Sequence, residues 1–295
     1  MNSVDATWKK LLAEATGKVR RSVSTVTASG ARGLVVGTGA SGDKTLLADL
    51  KAEEELSKAL LRVEGVKLLS EEAGNIGDPR SRTLFVIDPL DGSSNFERGL
   101  PFYCTSVALV EGQGLRGVRL AMVRNLVNGD VYFAAKGKGA LKNGKRISTT
   151  EGGKLGKSVL DADLSGTSGA LIAGLVPVLA GSKRVVHYGA NALEMCLLAE
   201  GKIDAFVDAR GRMRVTDIAG GYLIAREAGA IISLTREPRS APELSLDTRF
   251  SLIASANQSL HRAIVRALRS SSEPSGPGPL GPPRALLRTS DGSYG

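Results

Sequence analysis

Residues 86–96 read Val-Ile-Asp-Pro-Leu-Asp-Gly-Ser-Ser-Asn-Phe and continue an apolar run that begins at Leu84. Such a run predicts a buried strand, yet it delivers two carboxylates, Asp88 and Asp91, which are costly to bury without compensation. Pro89 disfavours a helical conformation at Asp88, so the strand is predicted to end there. Gly92 permits a tight turn. Both carboxylates can then face one cavity at the carboxyl end of a strand, where ligands commonly sit in α/β sheets. Two close carboxylates repel each other unless they share a proton or a cation, and a divalent cation with oxygen ligands removes the repulsion. Asp-Pro and Asp-Gly are also ordinary turn chemistry, so the stretch alone leaves both readings open.

Other acidic positions tilt the balance. Glu71 and Glu72 follow a predicted strand, Val66–Leu69. Asp49 lies on the polar side of a predicted helix, 45–62, and Asp217 opens another, 215–228. Singly, these are a loop charge, a helix-surface charge and an acid at the positive end of a helix. Together they predict a site for two or three magnesium ions. Ser93, Ser94 and Asn95 precede a short helical turn whose N–H groups suit phosphate. Metals beside a phosphate pocket imply phosphoryl chemistry, in which a two-metal site activates water, holds the phosphate and stabilises the leaving oxygen. A P-loop is missing, which argues against nucleoside-triphosphate hydrolysis. Neither histidine nor cysteine stands in this constellation, which argues against a phosphohistidine or phosphocysteine intermediate; spacing leaves an aspartyl-phosphate route open.

Around this centre, apolar periodicity predicts a helix over 4–24 and a strand over 33–37. From 102 to 135 the pattern is strand-rich. After about residue 155 strands alternate with helices at 168–179, 190–200, 215–228 and 258–269. An antiparallel-rich N-terminal lobe (1–150) and an α/β C-terminal lobe (151–270) follow. The Ser/Pro/Gly-dominated segment 271–295 is predicted to be a disordered tail.

Residues 37–42, GTGASG, fit G-x-G-x-x-G literally, and a dinucleotide-binding oxidoreductase is the alternative from another class. Against it, the next helix starts only near Asp43 or Lys44, whereas the fingerprint needs the helix to begin within it. A flexible glycine loop is the favoured reading.

The 295 residues carry a net charge of +9, with only 4% aromatics. The basic residues are scattered and stacking platforms are few, so attraction of a small anionic substrate is preferred to nucleic-acid binding. No apolar run approaches a membrane span, and no signal-peptide core interrupts the charged N-terminus, so a cytoplasmic location is expected. Two cysteines and two histidines are too few for a soft-ligand metal site. His187 is expected to fill or edge the core.

Asp88–Phe96 resembles the D-P-[ILV]-D-G-[ST]-[ST]-N-F signature of the inositol monophosphatase family. Ser70-Glu71-Glu72 resembles its G-E-E element, Leu47-Ala48-Asp49 its T-x-x-D element, and Thr216-Asp217-Ile218-Ala219-Gly220 its W-D-x-A-A/G element, with Thr216 where many members have tryptophan. The resemblance covers roughly residues 5–269 and is greatest to archaeal-type dual inositol monophosphatase/fructose-1,6-bisphosphatases. It implies a layered αβαβα sugar-phosphatase fold and a homodimer. It implies magnesium ligands at Glu71, Asp88, Asp91, Asp217 and the Leu90 carbonyl, phosphate contacts at Gly92, Ser93 and Ser94, and water activation by Asp49, Glu71 and Ser93. Asp208 falls near a position that holds substrate hydroxyls. Arg210, Arg212 and Arg214 lie in a basic loop just before Asp217, and one of them is a candidate for a second phosphate; a solvated basic loop is the other reading. The expected activity is magnesium-dependent hydrolysis of small sugar and inositol phosphates. Nucleotide 3′-phosphatase and NADP phosphatase are the alternatives within the family.

Overall fold

The computed structural model describes residues 3–112, 114–151, 153–235 and 244–270. The tail predicted over 271–295 lies outside the described residues. The chain opens with α1 (Ser3–Ala28), the hairpin β1 (Val35–Thr38) and β2 (Lys44–Leu46), and α2 (Leu47–Leu60). Then follow β3 (Val66–Ser70), β4 (Gly74–Gly77), β5 (Thr83–Asp91), α3 (Ser93–Arg98), β6 (Cys104–Val110), β7 (Val118–Asn125), β8 (Val131–Ala135), β9 (Ala140–Lys142) and β10 (Lys145–Ile147). The later part comprises β11 (Val159–Ala162), α4 (Gly169–Gly181), β12 (Arg184–Val186), α5 (Asn191–Ala199), β13 (Ala205–Arg214), α6 (Val215–Glu227), β14 (Ile231–Thr235), β15 (Arg249–Ser255) and α7 (Gln258–Ser270).

One sheet has the order β10-β9-β8-β7-β6-β5-β3-β4, antiparallel throughout except for the β3–β5 pair. The other has the order β12-β11-β13-β15-β14, parallel over its first three strands and antiparallel over the rest. Side chains alternate across each strand, and that alternation builds three cores. Phe85 and Ile87 of β5 face a core with Leu12 and Val19 of α1 and Leu56 of α2. Val86 faces the opposite way, into a core with Met195 of α5, Ile218 and Tyr222 of α6, and Phe206 and Leu252 of the second sheet. Val207 and Ile253 face a third core with Val178 of α4 and Ile264 of α7. The layers therefore run helices, sheet, helices, sheet, helices, which is the expected αβαβα succession.

The middle helical layer is unusually close-set. A Cβ on Gly221 would stand 2.7 Å from the Met195 Cβ, and one on Gly220 would stand 2.3 Å from the Ser106 hydroxyl. Without side chains at these two positions, α6 lies directly between α5 and β6, and the start of α6 is brought to the end of β5. Among the described residues no helix is long and apolar enough to cross a membrane.

Candidate active site and metal centre

β5 does not stop at Asp88, as Pro89 had led us to expect; it runs on to Asp91. Asp88 pairs with Ser106 and Asp91 with Cys104, so Pro89 and Leu90 together oppose Thr105 alone. This is a β-bulge, which accommodates Pro89 within the strand by breaking the ladder locally. Its extra residue also resets the alternation. Residues three apart would ordinarily face opposite sides, but here Leu90 turns into the α1/α2 core while Asp91 joins Asp88 on the side of α5 and α6.

Glu71, just past β3, Asp88 in β5 and Asp217 in the first turn of α6 converge, each offering a ligand atom within 4.8 Å of the others. Burial is the largest cause that raises the pKa of each. Neighbouring carboxylates push Asp88 further, well above the usual carboxylate range, and take Glu71 to about 8. At Asp217 the N–H and guanidinium of Arg214 oppose the rise. A trio of buried oxygen donors that disfavour their own charge is a donor set suited to a hard divalent cation.

Asp91 stands beside this trio. Its carboxylate accepts the N–H groups of Asn191 (3.1 Å) and Ala192 (2.8 Å) at the start of α5, and the Cys104 thiol donates to it. Burial nevertheless raises it to about 7. Asp49 is buried, accepts the Leu46 N–H at 2.7 Å, and is raised by burial to about 7. The Leu90 N–H donates to Asp88 at 3.1 Å. Gly92 adopts φ +87° at the start of α3, where a Cβ would meet the Phe102 carbonyl and the Ala190 methyl at 3.0 Å. Ser93 is half-buried and Ser94 exposed at the first positions of that short helix.

Several expectations need correction. GTGASG spans the end of β1 and the turn of an antiparallel hairpin, and a strand separates Gly42 from α2. It does not open a helix, so the dinucleotide fingerprint is not formed and the glycine loop is the right reading; only the strand β2 was unforeseen. Instead the N–H groups of Ala40 and Ser41 donate to the carbonyls of Glu72 and Glu71, which fixes the loop against the acidic centre. The basic segment 210–214 is the end of β13, not a loop. Asp208 is fully buried and engages Arg210, whose Nη2 is 2.6 Å away and which also pairs with Asp163. Arg210 is therefore held by carboxylates of this chain, while Arg212 is exposed. His187 does not fill the core; it lies at the surface against Asp161, Asp163 and Glu194.

Arg214, expected with Arg210 and Arg212 as a candidate for a second phosphate, instead faces the acidic centre. Its Nη1 donates to Glu71 at 2.5 Å and its Nη2 to Asp43 of the glycine loop. The three arginines were expected in a basic loop, and nothing in their spacing singled out the third as the partner of Glu71.

An acidic, all-oxygen centre between the layers of an αβαβα fold is the arrangement that a metal-dependent phosphatase needs. The chain belongs to the inositol monophosphatase family, which it matches over residues 2–273. It is 35% identical over 273 residues to a fructose-1,6-bisphosphatase/inositol-1-monophosphatase of Methanothermobacter thermautotrophicus, covering 88% of this chain and 96% of that one. It is 33% identical to a bifunctional NADP phosphatase/NAD kinase of Methanococcus maripaludis, covering 78% of this chain and 44% of that one. A solved inositol monophosphatase–fructose 1,6-bisphosphatase superposes with a TM-score of 0.76 at 30% identity, covering 88% of this chain and 99% of that one.

Proposed function

We propose that this phosphatase hydrolyses phosphomonoesters of small polyols and sugars, with inositol 1-phosphate and fructose 1,6-bisphosphate as substrates and magnesium, two or three ions, as cofactor. The observation that carries the reading is the convergence of Glu71, Asp88 and Asp217 within 4.8 Å. In this reading those three residues, with Asp91 and the Leu90 carbonyl, hold the ions. Bound there, divalent cations supply Lewis-acid polarisation of the ester and acidify a water. The chain's own groups do the rest. Gly92, Ser93 and Ser94 present N–H groups and hydroxyls at the phosphate. The Ser93 hydroxyl relays the proton of the attacking water to Asp49, with Glu71 orienting that water; Asp49, raised to about 7, is matched to a base working near neutrality. Asp208 acts indirectly, by fixing Arg210 beside the substrate's polyol. The same reading makes the working unit a cytoplasmic homodimer.

NADP is the second reading, supported by the bifunctional relative. Phosphate release by the full-length protein with magnesium, measured across inositol 1-phosphate, fructose 1,6-bisphosphate, 3′-phosphoadenosine 5′-phosphate and NADP, separates the two. The first two esters are expected to exceed the others in kcat/KM by roughly tenfold or more, about 1.4 kcal/mol of differential transition-state binding. Highest kcat/KM for NADP would overturn the sugar-phosphate reading.

A further inference from the structure

We propose that His187, Asp161 and Glu194 form a second metal site, which takes a single divalent ion of the zinc class through one imidazole nitrogen and two carboxylates. His187 follows β12, Asp161 lies in β11 and Glu194 in the first turn of α5. Nδ1 of His187 stands 3.3 Å from Asp161 Oδ1 and 3.2 Å from Glu194 Oε1. A ring nitrogen carries at most one proton, so it cannot serve both carboxylates well. Both distances also exceed the roughly 2.7–2.9 Å of a charge-assisted hydrogen bond. They match the donor–donor edge of a tetrahedral zinc site, about 3.3 Å for bonds of about 2.0–2.1 Å.

A second observation points the same way. Asp161 Oδ2 and Glu194 Oε2 have no hydrogen-bond partner among the described residues, although both side chains are fully buried. Orphaned buried acceptors are expensive, and a cation held by these two carboxylates would offset the negative charge that their burial leaves uncompensated. The His187 side chain is 28% exposed, so an ion can enter from solvent. Two histidines in the chain exclude an imidazole-rich site, but one imidazole with two carboxylates is a mixed N/O donor set. It selects a borderline ion, whereas the all-oxygen centre selects a hard one. The ion would also act on the phosphate turn. Glu194 accepts the N–H groups of Tyr188 (2.6 Å) and Gly189 (2.7 Å), and the Gly189 carbonyl lies against Gly92.

The test titrates Co2+ into full-length protein saturated with magnesium, follows the visible absorption of ligated cobalt, and then displaces it with Zn2+. Wild-type protein should bind one equivalent that zinc bleaches. Loss of an outer-shell partner alone costs a metal site roughly 10–100-fold, so His187→Gln and Asp161→Asn should each weaken binding at least that much. His187 is at the surface, so its variant keeps the fold, as circular dichroism would verify. Asp88→Asn and His261→Gln should leave the band intact. No band in the wild type, a band that survives both cluster variants, or a band lost in Asp88→Asn would overturn the assignment.

Discussion

Arg214 donates to Glu71 at 2.5 Å, so a guanidinium offsets part of the negative charge of the acidic centre from within the chain. A divalent ion that binds Glu71 must compete with it. Arg214→Gln is therefore expected to lower the magnesium concentration for half-maximal activity by roughly two- to fivefold, the worth of a partly exposed ion pair. A magnesium titration of the initial rate checks this; an unchanged or higher midpoint would show that the ion does not displace Arg214.

Asp88→Asn separates function from folding. Asp88 is 3% exposed and crowded by Glu71, Asp91 and Asp217. Replacing its carboxyl by an amide should abolish magnesium-dependent hydrolysis while raising the Tm of the metal-free protein, because the buried position no longer has to take up a proton that the unfolded carboxyl gives up. Each ~1 kcal/mol gained moves Tm by roughly 2–4 °C for a chain of this size. Calorimetry in a chelator gives the answer, and a lower Tm would contradict the picture of mutual repulsion.

The same crowding sets a pH dependence. Glu71 is raised from 4.5 to about 8, and Asp49 and Asp91 from 3.8 to about 7. The folded protein thus holds protons that the unfolded chain releases. Their contribution to stability is complete below the unfolded pKa values and is lost as pH rises through the folded ones. In a chelator, Tm should fall between about pH 4 and about pH 8, and magnesium should flatten that slope by replacing the protons. A metal-free Tm that rises over this range would refute the assignment.

Gly92→Ala tests the phosphate turn. At φ +87°, with two atoms 3.0 Å from the new methyl, alanine should cost roughly 1–3 kcal/mol of stability. It should also raise KM for the phosphate ester, because relief of the clash moves the N–H groups of Ser93 and Ser94. Thermal melts and steady-state kinetics on one preparation check both effects.

Much of the site was legible because carboxylates in apolar surroundings are costly, and Asp88, Asp91, Glu71 and Asp217 all betray themselves that way. The bulge was not legible. Pro89 carries the local signal of a strand end, and only pairing with β6 shows that the strand resumes. The hairpin around Gly39 was misjudged for a similar reason, since its partner strand, Lys44–Leu46, is too short to show a period. Arg210 looked free because sequence cannot show that Asp208 and Asp163 already hold it. His187 was expected to fill or edge the core because the sequence does not show that its carboxylate partners, from β11 and α5, come together around it.

The bulge makes the spacing of the two aspartates a matter of chain length as well as chemistry. Deleting either Pro89 or Leu90 would restore regular pairing and keep both carboxylates on one face. Deleting both, or neither while filling the opposing gap beside Thr105, would throw Asp91 to the other side of the sheet. An insertion beside Thr105 therefore acts as a parity switch: it can spare every functional residue and still erase the centre.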